Sequence, residues 1–185
     1  MSFGYHLVRA RNVFNSGGLM AYPTEGVWGL GCDPFNREAV ERLLALKDRP
    51  WEKGLIVAVA TIGCARPHLG GLTDEQCATV EASWPGPVTW LVPHRNHWPQ
   101  WVTGTSDSIA LRVSAYPLVQ QLASAVGGFV VSTSANPAGQ PPAMTARDVR
   151  RYFGNQVDLI MSGQVQGLRK PSAIRNAITG EIARV

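Results

Sequence analysis

The sequence predicts an α/β fold in which helices pack on a twisted, mostly mixed β-sheet, within a single domain over residues 1–185. Two observations lead to this class. Short apolar runs typical of buried strands alternate along the chain with helical repeats of apolar residues. Several neighbouring strand-like runs also lack a helix between them, and a purely parallel sheet would require such helices.

The helices are predicted from apolar spacing and from end signals. Asn36 is typical of an N-cap, and Thr73 with Gln76 three residues later forms a capping box. The pair Gly17-Gly18 ends the first helix, and Pro50 closes the second. The predicted helices cover residues 7–14, 36–49, 73–83, 118–126 and 146–153.

The strands are predicted as apolar runs bounded by turn residues. A turn at Thr179-Gly180 joins the last two as a hairpin. Trp84 and Trp90 lie in or beside strand-like runs, which favours a place in the core over base stacking. The predicted strands cover residues 19–23, 54–60, 88–92, 108–113, 128–134, 158–161, 172–177 and 181–185.

Composition narrows the class of protein. No apolar run is long enough for a membrane span, and the N-terminus lacks the apolar core of a signal peptide. Three widely spaced cysteines favour neither a disulfide framework nor a zinc site, so we expect a reducing cytoplasm. The net charge is +4, and only three of the 17 basic residues are lysines. An arginine-rich chain suits phosphate or carboxylate ligands, and the charge fits nucleic acid and nucleotides equally well.

Familiar nucleotide and metal motifs are absent. The sequence has no G-x-x-x-x-G-K-[ST] loop and no HExxH helix, and the glycines of "GVWGLG" do not form G-x-G-x-x-G. His94 and His97 lie in a Pro/Trp-rich segment without further ligands, which favours surface histidines over a metal site. We therefore expect no protein-built metal site.

Three segments place polar groups where predicted strands or helices end: "AYPTEGVWGLGCDP" from Ala21, "LKDRPWEKGLIV" from Leu46 and "VVSTSANPAGQPP" from Val130. Each segment alone has an ordinary structural explanation: turn-forming residues, a solvated charge cluster, or basic residues that interact favourably with the dipole at a helix C-terminus. Together they supply cations, hydroxyls and amides at strand ends, where open α/β sheets bind ligands. The set indicates a nucleotide site without a phosphate loop.

These segments, with "WPGPVTWLV", "SIALRV" and "PSAIRNAITGEIARV", resemble in order and spacing the YrdC/TsaC family of threonylcarbamoyl-AMP synthases, of the short, single-domain bacterial type. The similarity runs from about Leu19 to Val185. It implies a twisted sheet with a concave, positively charged face. It also implies an enzyme that converts L-threonine, bicarbonate or CO2, and ATP into threonylcarbamoyl-AMP and pyrophosphate, the first step of the t6A modification of tRNA.

The resemblance also implies roles for particular residues. Lys47 and Arg49 correspond to the family's phosphate-facing pair and are the expected catalytic residues. The residues expected to bind ATP are Lys47, Arg49, Lys53, Thr89, Ser134, Asn136, Thr145 and Arg184. Those expected to bind threonine are Thr24, Arg112, Ser132 and Ser172. Mg²⁺ is expected with the phosphates, and partner proteins of the TsaB/TsaD/TsaE type are expected in the pathway.

One position departs from the longer, two-domain members of the family, which carry a histidine where this chain has Ala58. The resemblance to the short type leads us to expect no counterpart of their C-terminal domain. Two other functions stay open. One is a non-enzymatic protein that binds tRNA or double-stranded RNA, although the sequence has no RNP-like motif or basic stripe. The other is a carbamoyl-transfer domain like that of hydrogenase maturation factors.

Overall fold

The computed structural model describes residues 3–167 and 173–184. Within them the chain forms seven α-helices and ten strands. The helices are α1 Phe3–Asn15, α2 Arg37–Leu46, α3 Ile62–Ala65, α4 Asp74–Ala82, α5 Gln100–Thr103, α6 Pro117–Ala125 and α7 Ala146–Phe153. The strands are β1 Met20–Pro23, β2 Trp28–Gly31, β3 Ile56–Val59, β4 Val88–Pro93, β5 Ser108–Val113, β6 Phe129–Val131, β7 Thr133–Ser134, β8 Leu159–Ile160, β9 Ala173–Asn176 and β10 Ile182–Arg184.

Local signals place the starts of α2 and α4 as predicted, whereas α2 ends at Leu46, earlier than expected, and the single-turn helices α3 and α5 were not predicted. The side chain of Asn36 accepts a hydrogen bond from the backbone N–H of Ala39 and so caps α2. Thr73 and Gln76 form both bonds of the predicted capping box at the start of α4. Trp84 and Trp90 are each 4% exposed, which confirms their place in the core. None of the described helices is long and apolar enough to cross a bilayer.

The sheet is mixed, as predicted, but the strands divide between two sheets. The larger has the order β10-β9-β4-β5-β3-β6, with β3–β5 and β4–β9 parallel and the other pairs antiparallel. The smaller has the order β7-β2-β1-β8, in which only β1–β8 is parallel. Strand β2 was not predicted, because two of its four residues are glycines, which disfavour strands in isolation.

One extended segment connects the two sheets. Its first part, β6, pairs with β3 in the six-stranded sheet, and its second part, β7, pairs with β2 in the four-stranded sheet. At the junction the Val131 N–H donates to the carbonyl of Cys32 (3.0 Å), and the Ser132 N–H donates to that of Ile56 (2.8 Å). The segment that the sequence presents as the end of a buried strand is therefore where the chain passes from one sheet to the other.

The two faces of the six-stranded sheet differ. On β5 the alternate residues Ile109, Leu111 and Val113 are buried in the larger core cluster, together with α2 side chains such as Val40 and Leu43. The opposite face carries several small side chains and is covered at one end by α6, which packs on β3 and β6. The apolar residues of α6 and of the neighbouring α1 belong to a second core cluster. The uncovered part of this face, which we call the open face, forms one wall of a cavity.

The close approach of the sheets predicts a stability effect at Gly31. A Cβ at this position would lie 2.3 Å from the carbonyl oxygen of Val131, a backbone atom that cannot turn aside. We expect Gly31→Ala to lower the free energy of unfolding by about 1–3 kcal/mol, which thermal denaturation would detect. Gly70→Ala is the control, since nothing lies within 4 Å of a Cβ there. Equal melting temperatures for the two variants would contradict this prediction.

Candidate active site

A cavity of about 870 Å³ lies against the open face of the six-stranded sheet. On β5 its wall is formed by Ser108, Ala110 and Arg112, the residues that alternate with the core side chains. Ala58 of the neighbouring β3 also lines it. Because Ser108, Ala110 and Ala58 have short side chains, they leave room for the cavity above the sheet, and its volume suits a nucleotide-sized ligand.

The segment that connects the sheets contributes the hydroxyls and the amide predicted from "STSAN". Ser132, Thr133, Ser134 and Asn136 all line the cavity. The Asn136 amide nitrogen donates to the carbonyls of Pro137 (3.1 Å) and Gln140 (2.8 Å), which shapes the following loop. Its Oδ1 is buried without a hydrogen-bond partner among the described residues. This oxygen is thus a buried acceptor without a described partner, in a residue that lines the cavity.

Lys47 lies at the C-terminus of α2 and is only 5% exposed. Its ammonium donates to the carbonyl oxygens of Ser134 and Asn136, the latter at 2.8 Å, and so ties α2 to the connecting segment. Burial, with a smaller contribution from the neighbouring Arg49 charge, lowers the pKa of this ammonium to about 8. The lysine is therefore a cation held in place by backbone carbonyls and poorly hydrated.

Arg49 and Lys53 line the same cavity from the loop that joins α2 to β3. The Arg49 guanidinium donates to the carbonyl of Gly54 at 2.8 Å, across its own loop. Gly54 has φ +59°, and a Cβ there would lie 2.7 Å from the carbonyl oxygen of Thr103, so the loop needs glycine. Lys53 is exposed. The predicted Lys-x-Arg pair and the Ser-x-Asn segment thus line the same cavity, and Lys47 contacts that segment directly.

Arg112 on β5 also lines the cavity, and it is paired with Glu25. Its Nη2 donates to Glu25 Oε1 at 2.6 Å, and its Nε donates to the carbonyl of Gly86 at 3.1 Å. The Ser114 hydroxyl donates to the same Glu25 oxygen at 2.6 Å. Glu25 is 5% exposed, which makes this a buried ion pair with well-formed hydrogen bonds.

Thr24 also lines the cavity, and its hydroxyl donates to the carbonyl of Val27 at 2.7 Å. Its oxygen lone pairs can therefore still accept a hydrogen bond from a ligand. The sequence singled out Thr24 and Arg112 but not the partners Glu25 and Ser114. The only local signal for Glu25 was a carboxylate directly after a strand, which turn chemistry explains equally well.

Four other predicted residues are not placed in the cavity. Thr89 is fully buried on β4, on the same face as the lining residue Leu91, but is not itself part of the lining. Thr145 caps α7 and exchanges hydrogen bonds with Asp148 at an exposed position outside the lining. Ser172 and the Arg184 side chain lie outside the described residues.

The described residues contain no group of three or more His, Cys, Asp or Glu side chains that could hold a metal ion. The His94 ring contacts its own loop: its Nε2 lies 3.1 Å from the Ser106 carbonyl oxygen, and its Nδ1 accepts from the Asn96 N–H at 3.0 Å. A divalent cation in the cavity would need most of its oxygen ligands from a bound molecule.

The fold and the cavity define an α/β protein in which one cavity is lined by a Lys-x-Arg turn, by the open face of the six-stranded sheet and by the segment that connects the two sheets. The chain belongs to the Sua5/YciO/YrdC family, whose model, described as "Telomere recombination", matches residues 12–185.

Relatives and solved structures resemble it closely. It is 52% identical over 175 residues to a threonylcarbamoyl-AMP synthase of Pseudomonas aeruginosa, covering 95% of this chain and 94% of the relative. It is 50% identical over 175 residues to one of Cellvibrio japonicus, covering 95% and 93%. The structure of P. abyssi Sua5 complexed with L-threonine superposes with a TM-score of 0.87 at 26% identity, over 95% of this chain and 52% of that one.

Proposed function

We propose that this chain is a threonylcarbamoyl-AMP synthase, which joins L-threonine, bicarbonate or CO2, and ATP into threonylcarbamoyl-AMP and pyrophosphate. One observation supports it above the others: a single cavity holds the cations Lys47 and Arg49 and, on another wall, the Glu25–Arg112 pair with the Thr24 hydroxyl. The first group suits phosphates, and the second suits a small hydroxylated amino acid. The names of the relatives described above agree with this activity.

The reaction needs positioning more than covalent help from the protein. The threonine amine adds to CO2 with loss of a proton and forms a carbamate. A carbamate oxygen then attacks the α-phosphorus of ATP, and the bond to the leaving pyrophosphate breaks. Negative charge builds on the phosphate oxygens, where fixed cations stabilise it. Lys47 and Arg49 have this role in the proposal, because both are held in place by backbone carbonyls.

ATP sites are proposed for Lys47, Arg49, Lys53, Ser134 and Asn136, all of which line the cavity. Thr89, Thr145 and Arg184 stay predictions from the resemblance alone. The described residues build no metal cage, so Mg²⁺ would enter with the triphosphate and draw its ligands chiefly from phosphate oxygens.

The product is a reactive mixed anhydride, and a second activity must transfer its threonylcarbamoyl group to tRNA. Partners of the TsaB/TsaD/TsaE type and a cytoplasmic location belong to this proposal. The tRNA itself is not a substrate of the step that this cavity performs.

The test is pyrophosphate release from ATP, with threonine and bicarbonate omitted in turn. The proposal requires that release depend on both. Release that continues without threonine would overturn it. Absence of release, together with RNA binding in a mobility-shift assay, would support the non-enzymatic alternative instead.

The lowered pKa of Lys47 predicts a pH dependence for ATP binding. Loss of its proton removes a positive charge from the cavity, so the affinity for ATP should fall as the pH rises through about 8. The fall should be at most tenfold per pH unit, since one proton is involved. Calorimetric titration of ATP between pH 7 and 10 measures this. Lys47→Arg is the control, because arginine stays charged throughout and its affinity profile should be flat.

A further inference from the structure

The Glu25 carboxylate has one oxygen that the described part of the protein does not use. Both hydrogen bonds that it accepts, from Arg112 Nη2 and from the Ser114 hydroxyl, end on Oε1. No described group donates to Oε2. Glu25 lines the cavity and yet is only 5% exposed, so Oε2 is held in a largely desolvated setting.

Arg112 likewise has one guanidinium nitrogen left over after its hydrogen bonds within the protein. Its Nε and Nη2 are engaged by Gly86 and Glu25, which fixes the plane of the guanidinium. Nη1 takes part in none of these bonds. A ligand carboxylate would therefore meet Arg112 through Nη1, with the Glu25 carboxylate alongside on the neighbouring nitrogen.

An adjacent cation and anion, each with one unused atom, match the two charges of an α-amino acid. The carboxylate and ammonium of such a molecule are attached to the same carbon, and the two protein groups are hydrogen-bonded to each other. We propose that Glu25 binds the α-ammonium group of the amino-acid substrate through Oε2 while Arg112 takes its carboxylate. This inference rests on the proposed function and adds Glu25 as the residue that recognises the substrate amine.

The arrangement has a consequence for the reacting nitrogen. A hydrogen bond to Oε2 fixes the nitrogen that must lose its proton and meet CO2, so Glu25 orients the nucleophile of the first step. It also distinguishes amino acids from hydroxy acids. A ligand without the amine would place its carboxylate close to the Glu25 carboxylate with no hydrogen bond in return, and the repulsion between the two negative charges would oppose binding.

The experiment compares two ligands in two proteins. L-threonine and 3-hydroxybutanoate share a carboxylate and a β-hydroxyl, but only threonine has an amine. Calorimetric dissociation constants are measured for wild type and Glu25→Gln. The glutamine can keep Oε1 as the acceptor for Arg112 and Ser114, while its amide donors replace Oε2. Threonine affinity should fall at least tenfold, and 3-hydroxybutanoate affinity should stay constant or rise, because a negative charge beside its carboxylate is removed.

Ser114→Ala is the matched control, since it removes the other hydrogen bond to Oε1 and keeps the carboxylate. Its ratio of threonine to 3-hydroxybutanoate affinity should remain that of wild type. An equal loss for both ligands in Glu25→Gln would mean that Glu25 only supports Arg112, and an unchanged threonine affinity would overturn the inference directly. Wild-type protein that does not bind threonine would contradict the proposed function as well, so the two failures are distinguishable.

Discussion

Valine should be a substrate roughly 10⁴-fold poorer than threonine, measured as kcat/KM for pyrophosphate release. Valine keeps the shape of threonine but replaces the hydroxyl with a methyl group, which leaves polar groups of the site unpaired. The Thr24 hydroxyl already donates to the carbonyl of Val27, so its oxygen can accept a hydrogen bond from the substrate hydroxyl. Serine lacks only the methyl group and should lose about 10- to 200-fold.

Two variants of Thr24 distinguish recognition of the substrate hydroxyl by a hydrogen bond from recognition of the substrate's shape by steric fit. Thr24→Val should largely remove the preference for threonine over valine, because the acceptor is lost while the volume is kept. Thr24→Ser keeps the hydroxyl and should retain the preference. Valine that matches or exceeds serine with the wild-type protein would mean that the pocket does not read the hydroxyl, and that the assignment of Thr24 is wrong.

Arg49→Ala should reduce turnover by roughly 30- to 1,000-fold, the equivalent of about 2–4 kcal/mol of transition-state stabilisation. The reason is the loss of a fixed cation where negative charge builds on the phosphates. The structure also gives Arg49 a hydrogen bond to the Gly54 carbonyl, so the melting temperature should fall by a few degrees at most. Both effects are measured on the purified variant, by pyrophosphate release and by thermal denaturation.

The control for Arg49 is Arg9→Ala, which removes an exposed arginine from α1 and should change neither quantity. A large fall in melting temperature with nearly normal turnover would indicate that Arg49 only holds its loop. The same assay at several ATP concentrations then distinguishes weaker ATP binding from slower chemistry.

The sequence predicts best what is decided locally. Asn36 and the Thr73–Gln76 box identify helix starts because a cap involves residues two or three positions apart. Helix α7 spans Ala146–Phe153, as predicted, but its cap is Thr145, through the same hydroxyl that the resemblance assigns to ATP. Here the local capping chemistry accounts for the residue without any ligand.

Features that depend on distant parts of the chain were not predictable. Glu25 lies 87 residues from Arg112 and 89 from Ser114, so no spacing pattern could pair them. A strand pattern penalises Gly31, and the reason for glycine there lies 100 residues away: a Cβ would come within 2.3 Å of the Val131 carbonyl oxygen in the other sheet. The resemblance assigned Thr24, Arg112, the Lys-x-Arg pair and the Ser-x-Asn segment to the substrate sites. It gave no role to Glu25, the carboxylate that pairs with Arg112.

The connection of both sheets through one strand bears on the entropy of ligand binding. Because β6 and β7 are continuous and β2 packs directly against Val131, the two sheets cannot separate like the halves of a hinge. We therefore expect the walls that carry Arg112 and Ser134 to keep their spacing when the cavity is filled. Little of the binding free energy is lost to domain closure, and the ordering cost is confined to the exposed loops at the cavity mouth. Such preorganisation suits a reaction whose nucleophile is weak and whose catalysis depends on placement.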